Sequence, residues 1–199
     1  SDLVRRSLQD ATQSEFDRRV DEQAATLIDA LRAGRLDNPS FGLGIELEAY
    51  AVDDDWQLTR VPDPVLEGPG EKELGVHNVE LNTSPTRFDG RGALAQAAQL
   101  QRQYRHVQQA AERANAEIVL DAMWTIPPKG GTQAYLGDVR EREGVTIAEN
   151  MTPSPRYYAI DNDVLNPSEG AVRGTVRRAE CWFPSILFES LTSSIQPHI

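Results

Sequence analysis

FGLGIELEAYAVD, residues 41–53, alternates Ile45, Leu47 and Ala49 with Glu46, Glu48 and Tyr50. A period of two predicts a half-buried strand over residues 43–52 and rules out an amphipathic helix there. Side chains two apart in a strand point the same way, so Glu46 and Glu48 project together while Ile45 and Leu47 pack inward. Carboxylates held this close repel unless a cation or a shared proton lies between them. Taken alone, the pair also reads as an ordinary solvent-facing edge, and the rest of the chain has to decide.

A second acid strand follows in VHNVELNTS, where Val79 and Leu81 share one face and Asn78, Glu80 and Asn82 the other. Glu73 stands an odd number of residues from Glu80, so its convergence with that face requires a bend, for which Gly75 is the candidate. Several carboxylates on one sheet face suit a hard divalent cation, magnesium or manganese, better than zinc. Around these strands, Phe16, Val20, Ala24, Leu27 and Leu31 predict a first helix that Gly34 ends, followed by a polar linker over residues 35–40. Residues 53–55 read as a turn into a strand near residues 57–61. Residues 93–114 read as a second helix, and EIVLDAMW, residues 117–124, as a buried strand. Residues 126–174 are rich in Pro, Gly and Asn, except for a short strand in GVTIAEN and a loop leading into a helix in SPRYYAIDND. CWFPSILFESLTSSIQPHI reads as a helix running into a last strand, in which Pro197 marks an edge or a bulge.

Composition narrows the classes. With 39% hydrophobic and 26% charged residues the chain folds, and 199 residues suffice for one core. A formal charge of -11 disfavours a nucleic-acid or anionic-membrane binder, and any phosphate handled here needs a cation. The single Cys181 excludes an intramolecular disulfide and reads as a buried hydrophobe. With no secretory apolar core and no apolar run of transmembrane length, the sequence reads as cytoplasmic. His77, on the face of Val79 and Leu81, and His106 read as structural or exposed, and Trp56, Trp124 and Trp182 as packing anchors.

Glu46 and Glu48 in GIELEAYAVD, Glu80 in VELNTSP, SPRYYAIDND and the closing TSSIQPHI stand in the order found in the glutamate-cysteine ligase family of carboxylate-amine ligases. The chain resembles that family from about residue 41 to residue 199, matching the front part of a longer family member. The resemblance implies an α+β fold, a curved, mainly antiparallel glutamine synthetase-like sheet with helices packed on one face. Residues 1–199 read as a single domain, with residues 1–40 as a helical lead-in and residues 41–199 as sheet and helices, which the resemblance makes the N-terminal part of a larger catalytic domain. ATP and magnesium, or manganese, are the implied cofactors. Glu48, Glu73 and Glu80 would hold one ion and Glu46 a second, together with His198 or Gln196. Arg156 and Tyr157 would lie near the nucleotide or substrate, with Arg177 and Arg178 ranked below them. The implied substrates are glutamate or a related carboxylate and an amine such as cysteine, joined through an acyl phosphate. Two other classes stay open: a non-catalytic metal- or nucleotide-binding module, and a subunit, homo-oligomeric or paired with another chain, whose partner completes the sheet.

Overall fold

The computed structural model describes residues 2–37, 41–165 and 170–199. Its elements in chain order are α1 (Asp2–Ser7), α2 (Asp10–Arg32), β1 (Gly42–Val52), α3 (Asp63–Leu66), β2 (Gly70–Lys72), β3 (Asn78–Asn82), β4 (Thr86–Arg87), α4 (Gly90–Glu112), β5 (Glu117–Val119), α5 (Thr132–Leu136), β6 (Val139–Arg142), β7 (Val145–Ala148), α6 (Pro155–Leu165), β8 (Val172–Val176), β9 (Ala179–Phe183), a 3-10 helix (Ile186–Leu191) and β10 (Ile195–His198). The fold is α+β, and every strand pair is antiparallel. Residues 38–40 of the polar linker and 166–169 of the Pro-rich stretch lie outside the described residues. Among the described residues no helix is long and apolar enough to cross a membrane.

The opening strand is the axis of the main sheet. Over its eleven residues β1 pairs with β3 on one side and with β10 and β5 on the other, and β4 joins its first two residues. Glu46 lies opposite Asn82 and Gln196, and Glu48 opposite Glu80. Among the described residues β10 and β2 are the outer strands of this order, so of the edge or bulge that Pro197 marked, β10 is an edge. The Glu48 N–H donates to the Ser194 carbonyl at 3.0 Å. With the register Ile45 to Pro197, this puts Pro197 in a pair that exchanges no ladder bonds with β1. Its ring nitrogen therefore faces the open edge, where proline costs the ladder nothing.

Leu47, Ala49, Ala51, Val79 and Leu81 turn to the opposite face from the acids and bury against Val107, Ala110 and Ala111 of α4, with Ile118, Val61 and Val65 completing the core. Each of the larger side chains contributes about 1.5–3 kcal/mol by leaving water. Asp89 caps α4, its carboxylate accepting from the N–H groups of Arg91 (2.9 Å) and Gly92 (2.7 Å). Gln96 on the buried side of α4 donates to the carbonyls of Leu43 (2.6 Å) and Ser84 (2.8 Å), which fixes the helix to the start of β1.

Several expectations need correction. Residues 57–61 form no strand: Asp53 accepts from the N–H groups of Asp55 and Gln57, and only Leu58 bridges Val52. The Pro and Gly-rich loop before β3 contains α3 and β2, both too short for a pattern to show. The strand expected over residues 117–124 shrinks to β5. The helix expected after Cys181 is a 3-10 turn, and Cys181 sits half-buried on β9. Trp56 and Trp182 are exposed, so of the three tryptophans only Trp124 is a packing anchor. The helix α2 ends as expected at Gly34, whose φ of 65° lets the Arg35 N–H reach the Ala30 carbonyl at 3.0 Å.

Candidate functional site

The register of β1 gathers the acids. Glu46, Glu48 and Tyr50 share the face of Asn78, Glu80 and Asn82 on β3 and of Gln196 and His198 on β10. β2 adds Glu71, opposite Glu80. Glu73 lies just beyond β2 and reaches this face because the chain turns back on itself before β3. The turn is tight at Gly75, where a Cβ would stand 2.3 Å from Asn78 Oδ1 and 2.9 Å from Ser190 Cβ. The bend that the parity of Glu73 and Glu80 demanded is this turn.

Over one end of that face α6 and the 3-10 helix close a cavity of about 350 Å³. Glu48, Glu73, Arg156, Tyr157 and Gln196 line it, so five of the expected residues share one space. Arg156 and Tyr157 come from the first turn of α6, with the guanidinium carbon 5.9 Å from the tyrosine ring centre. Glu46, Glu80 and His198 lie on the same sheet face outside the cavity lining, His198 Nε2 standing 3.1 Å from Glu46 Oε2. Arg177 and Arg178 sit at the turn between β8 and β9, away from the cavity. The sequence reading missed Glu189, which also lines the cavity. Its signal was being the lone acid in CWFPSILFESLTSSIQPHI.

Glu48, Glu73 and Glu80 each already have a neutral partner. Glu48 accepts from the Ser194 N–H (2.8 Å) and hydroxyl (3.2 Å) and from the Gln196 amide (3.0 Å). Glu80 accepts from the Asn82 amide at 2.6 Å, and Glu73 from the N–H of Leu74. Burial lifts the Glu48 carboxyl above the usual carboxylate range; the Ser194 bonds pull it back, and the charges of Glu73 and Glu189 lift it further. Burial likewise raises Glu73, aided by Glu80 and Glu189 and opposed by Arg156, and raises Glu80, aided by Glu46, Glu48 and Glu71. The acids therefore oppose one another's ionisation.

That repulsion has a sign in stability. A carboxylate whose pKa rises on folding keeps a proton that the unfolded chain has released, so stability falls as pH rises from the unfolded value of 4.5 through the folded one. Glu73→Gln keeps the acceptor for the Leu74 N–H and removes the charge. Discounted for solvent screening, it is expected to stabilise the protein at neutral pH by about 0.5–1 kcal/mol, or about 1–4 °C in Tm. The gain should vanish well below pH 4.5, where the wild-type group is protonated in both states. Thermal melts at the two pH values check this, and an unchanged or lower Tm at neutral pH contradicts it.

The cavity's roof is held from below. Ser190 offers its carbonyl to two buried donors of the sheet end, His77 Nε2 and Asn78 Nδ2, each at 3.0 Å. The Tyr135 hydroxyl meets His77 Nδ1 at 2.6 Å, so the neutral ring donates at one nitrogen and accepts at the other. His77 is structural, as expected, yet it stacks on Tyr50, on the side opposite Val79 and Leu81, because it lies in the turn before β3 begins. His106 is exposed on α4. The other anchor is Asp161 of α6, fully buried, which accepts from the Ile186 N–H (2.9 Å) and the Ser185 hydroxyl (3.1 Å).

The carboxylates fit a hard divalent cation in kind, since they offer oxygen and carry repulsion that a cation relieves, whereas His198 would offer a nitrogen that such an ion does not prefer. Among the described residues, however, no three His, Cys, Asp or Glu side chains stand close enough together to hold a metal ion. Occupancy would require carboxylates to rotate away from their present partners. Comparison of the chain with protein-family models, with curated proteins and with solved structures gave no match in any of the three.

Proposed function

We propose that the chain carries the acidic half of an ATP- and magnesium-dependent carboxylate-amine ligase site, in the manner of the glutamate-cysteine ligases it resembles. The observation behind this reading is the cavity in which Glu48 and Glu73 face Arg156 across the sheet's polar side. Glu48, Glu73 and Glu80 would hold one ion, and Glu46 a second with His198 or Gln196. A glutamine synthetase-like arrangement of the sheet belongs to the same proposal. When bound, the metal supplies charge neutralisation to ATP phosphates during transfer to a carboxylate. Arg156 presents a planar guanidinium, suited to paired bonds with a substrate carboxylate or a phosphate oxygen pair. Its charge also counters the acids around it, as its effect on Glu73 indicates.

The test is binding of a non-hydrolysable ATP analogue with and without magnesium or manganese. Metal is expected to tighten binding, and Glu48→Gln or Glu80→Gln to weaken the metal-dependent part by about 10-fold or more. Metal-independent binding that both variants leave unchanged would sink the proposal. ADP release with glutamate and a panel of amines, with mass spectrometry of the product, then tests for ligation itself. A second reading, a non-catalytic nucleotide- or cation-binding module, draws on the hydrogen bonds that already occupy both oxygens of Glu48. It predicts metal-dependent binding with no ADP release for any amine.

A further inference from the structure

The helix α2 leaves its apolar side uncovered. Phe16, Val20, Leu27, Ile28 and Leu31 are 61, 46, 53, 45 and 59% exposed. With Ala24 they fall in one stripe about 120° wide at the pitch of an α-helix. Val20, Ala24, Leu27 and Leu31 follow one another by four, three and four, the spacing of the apolar seam that joins two helices in a coiled coil. Among the described residues the start of α2 is what ties it to the body, through Gln13, whose amide donates to the Ser7 carbonyl at 2.8 Å and to Asp163 of α6 at 3.4 Å, and through Phe16, which shares a cavity with Ala159 and Ile160 of α6. Beyond Gln13, the rest of the 23-residue helix, residues 14–32, extends about 28 Å. On its polar back, Glu15, Arg18, Arg19 and Glu22 pair among themselves and hold the helix without a neighbour.

We infer that α2 pairs with α2 of a second copy of this chain, antiparallel, through this seam. The flanking charges choose the occupant and its direction. Asp17 lies within the stripe, three residues before Val20 on the line of the seam, and Asp21 stands at its border; Arg32 stands outside the same border near the end of the helix, and Arg35 follows just past it. Among the described residues Asp17, Asp21 and Arg35 enter no ion pair, and Arg32 has only a 4.0 Å contact with Asp29. An antiparallel pairing that sets Val20 on Leu31 and Ala24 on Leu27 brings the free acids of one copy beside the arginines of the other, at both ends of the contact. A parallel pairing would set acids against acids.

Sedimentation velocity of the whole chain over a concentration series tests the pairing, with a dimer expected to form in the micromolar range. Leu27→Glu combined with Leu31→Glu should raise the dissociation constant by about 100-fold or more, while Thr26→Glu on the opposite face leaves the dimer intact. Direction is read by cross-linking in a Cys181→Ser background. Val20→Cys chains mixed with Leu31→Cys chains should form a disulfide between the two variants in preference to either self-pair. A monomeric wild type overturns the inference, as does a dimer indifferent to the two glutamates, one broken by Thr26→Glu, or cross-links of Val20→Cys with itself.

Discussion

Between pH 6.5 and pH 4 the protein is expected to lose about 3 kcal/mol of unfolding free energy through one side chain, His77. The ring is buried, and burial pushes its pKa down from 6.5 to about 4, against the Ser190 carbonyl that favours the charged form. The unfolded chain therefore takes up a proton in this window that the folded chain refuses, so stability rises with pH. The contribution is complete above pH 6.5 and is lost as pH falls to about 4, at about 1.4 kcal/mol per pH unit between the two values. Glu48, Glu73, Glu80 and Asp161 act in the opposite direction, because their pKa values rise on folding. The imidazole is isolated by subtraction. Urea unfolding of wild type and His77→Gln across this range should give curves that converge as pH falls, and parallel curves would show that the ring charges without cost.

Asp161→Ala is expected to cost about 3 kcal/mol at neutral pH, or about 6–12 °C in Tm for a chain of this size. The variant strips the acceptor from the Ile186 N–H and the Ser185 hydroxyl in a site without water access. Ser185 in turn caps the 3-10 helix, accepting from the Leu187 N–H at 3.0 Å, so the loss spreads to the element that carries Glu189. Asp161→Asn keeps a carbonyl oxygen for the same donors and should lose roughly a third as much. Burial raises the Asp161 carboxyl, so the asparagine variant should also show a smaller decline in stability as pH rises from 3.8. If alanine and wild type unfold within about 0.5 kcal/mol of each other, the carboxylate is not the anchor that its two donors suggest.

The long elements were legible in the sequence because their periods run on for many residues. β1 alternates as far as Ala49, after which residues 49–52 are all buried, and α2 and α4 keep threes and fours for about four turns or more. The shared face of Glu46, Glu48 and Glu80 followed from that alternation alone. Glu73 was harder, since its side depends on a reversal of the chain between two short strands, and parity counts only within one strand. Glu189 was invisible to periodicity because a 3-10 turn takes its orientation from what holds it, here Asp161 below one end and His77 and Asn78 below the other. His77 broke the pattern for a related reason, as it precedes the first paired residue of its strand. The apolar stripe of α2 was read correctly as a helix, but nothing local could say that its own chain leaves it bare.

Pro197 has a consequence for the molecule's life among its copies. Exposed strands are templates on which other chains can grow, and Ile195 and Ile199 make the β10 edge greasy enough to invite it. A strand arriving there would find the Ile195 amide and then, two residues on, a pyrrolidine ring in place of the next donor. The proline thus works as a guard against runaway sheet extension, and unlike the carboxylates behind it, it keeps working when acid has discharged the surface.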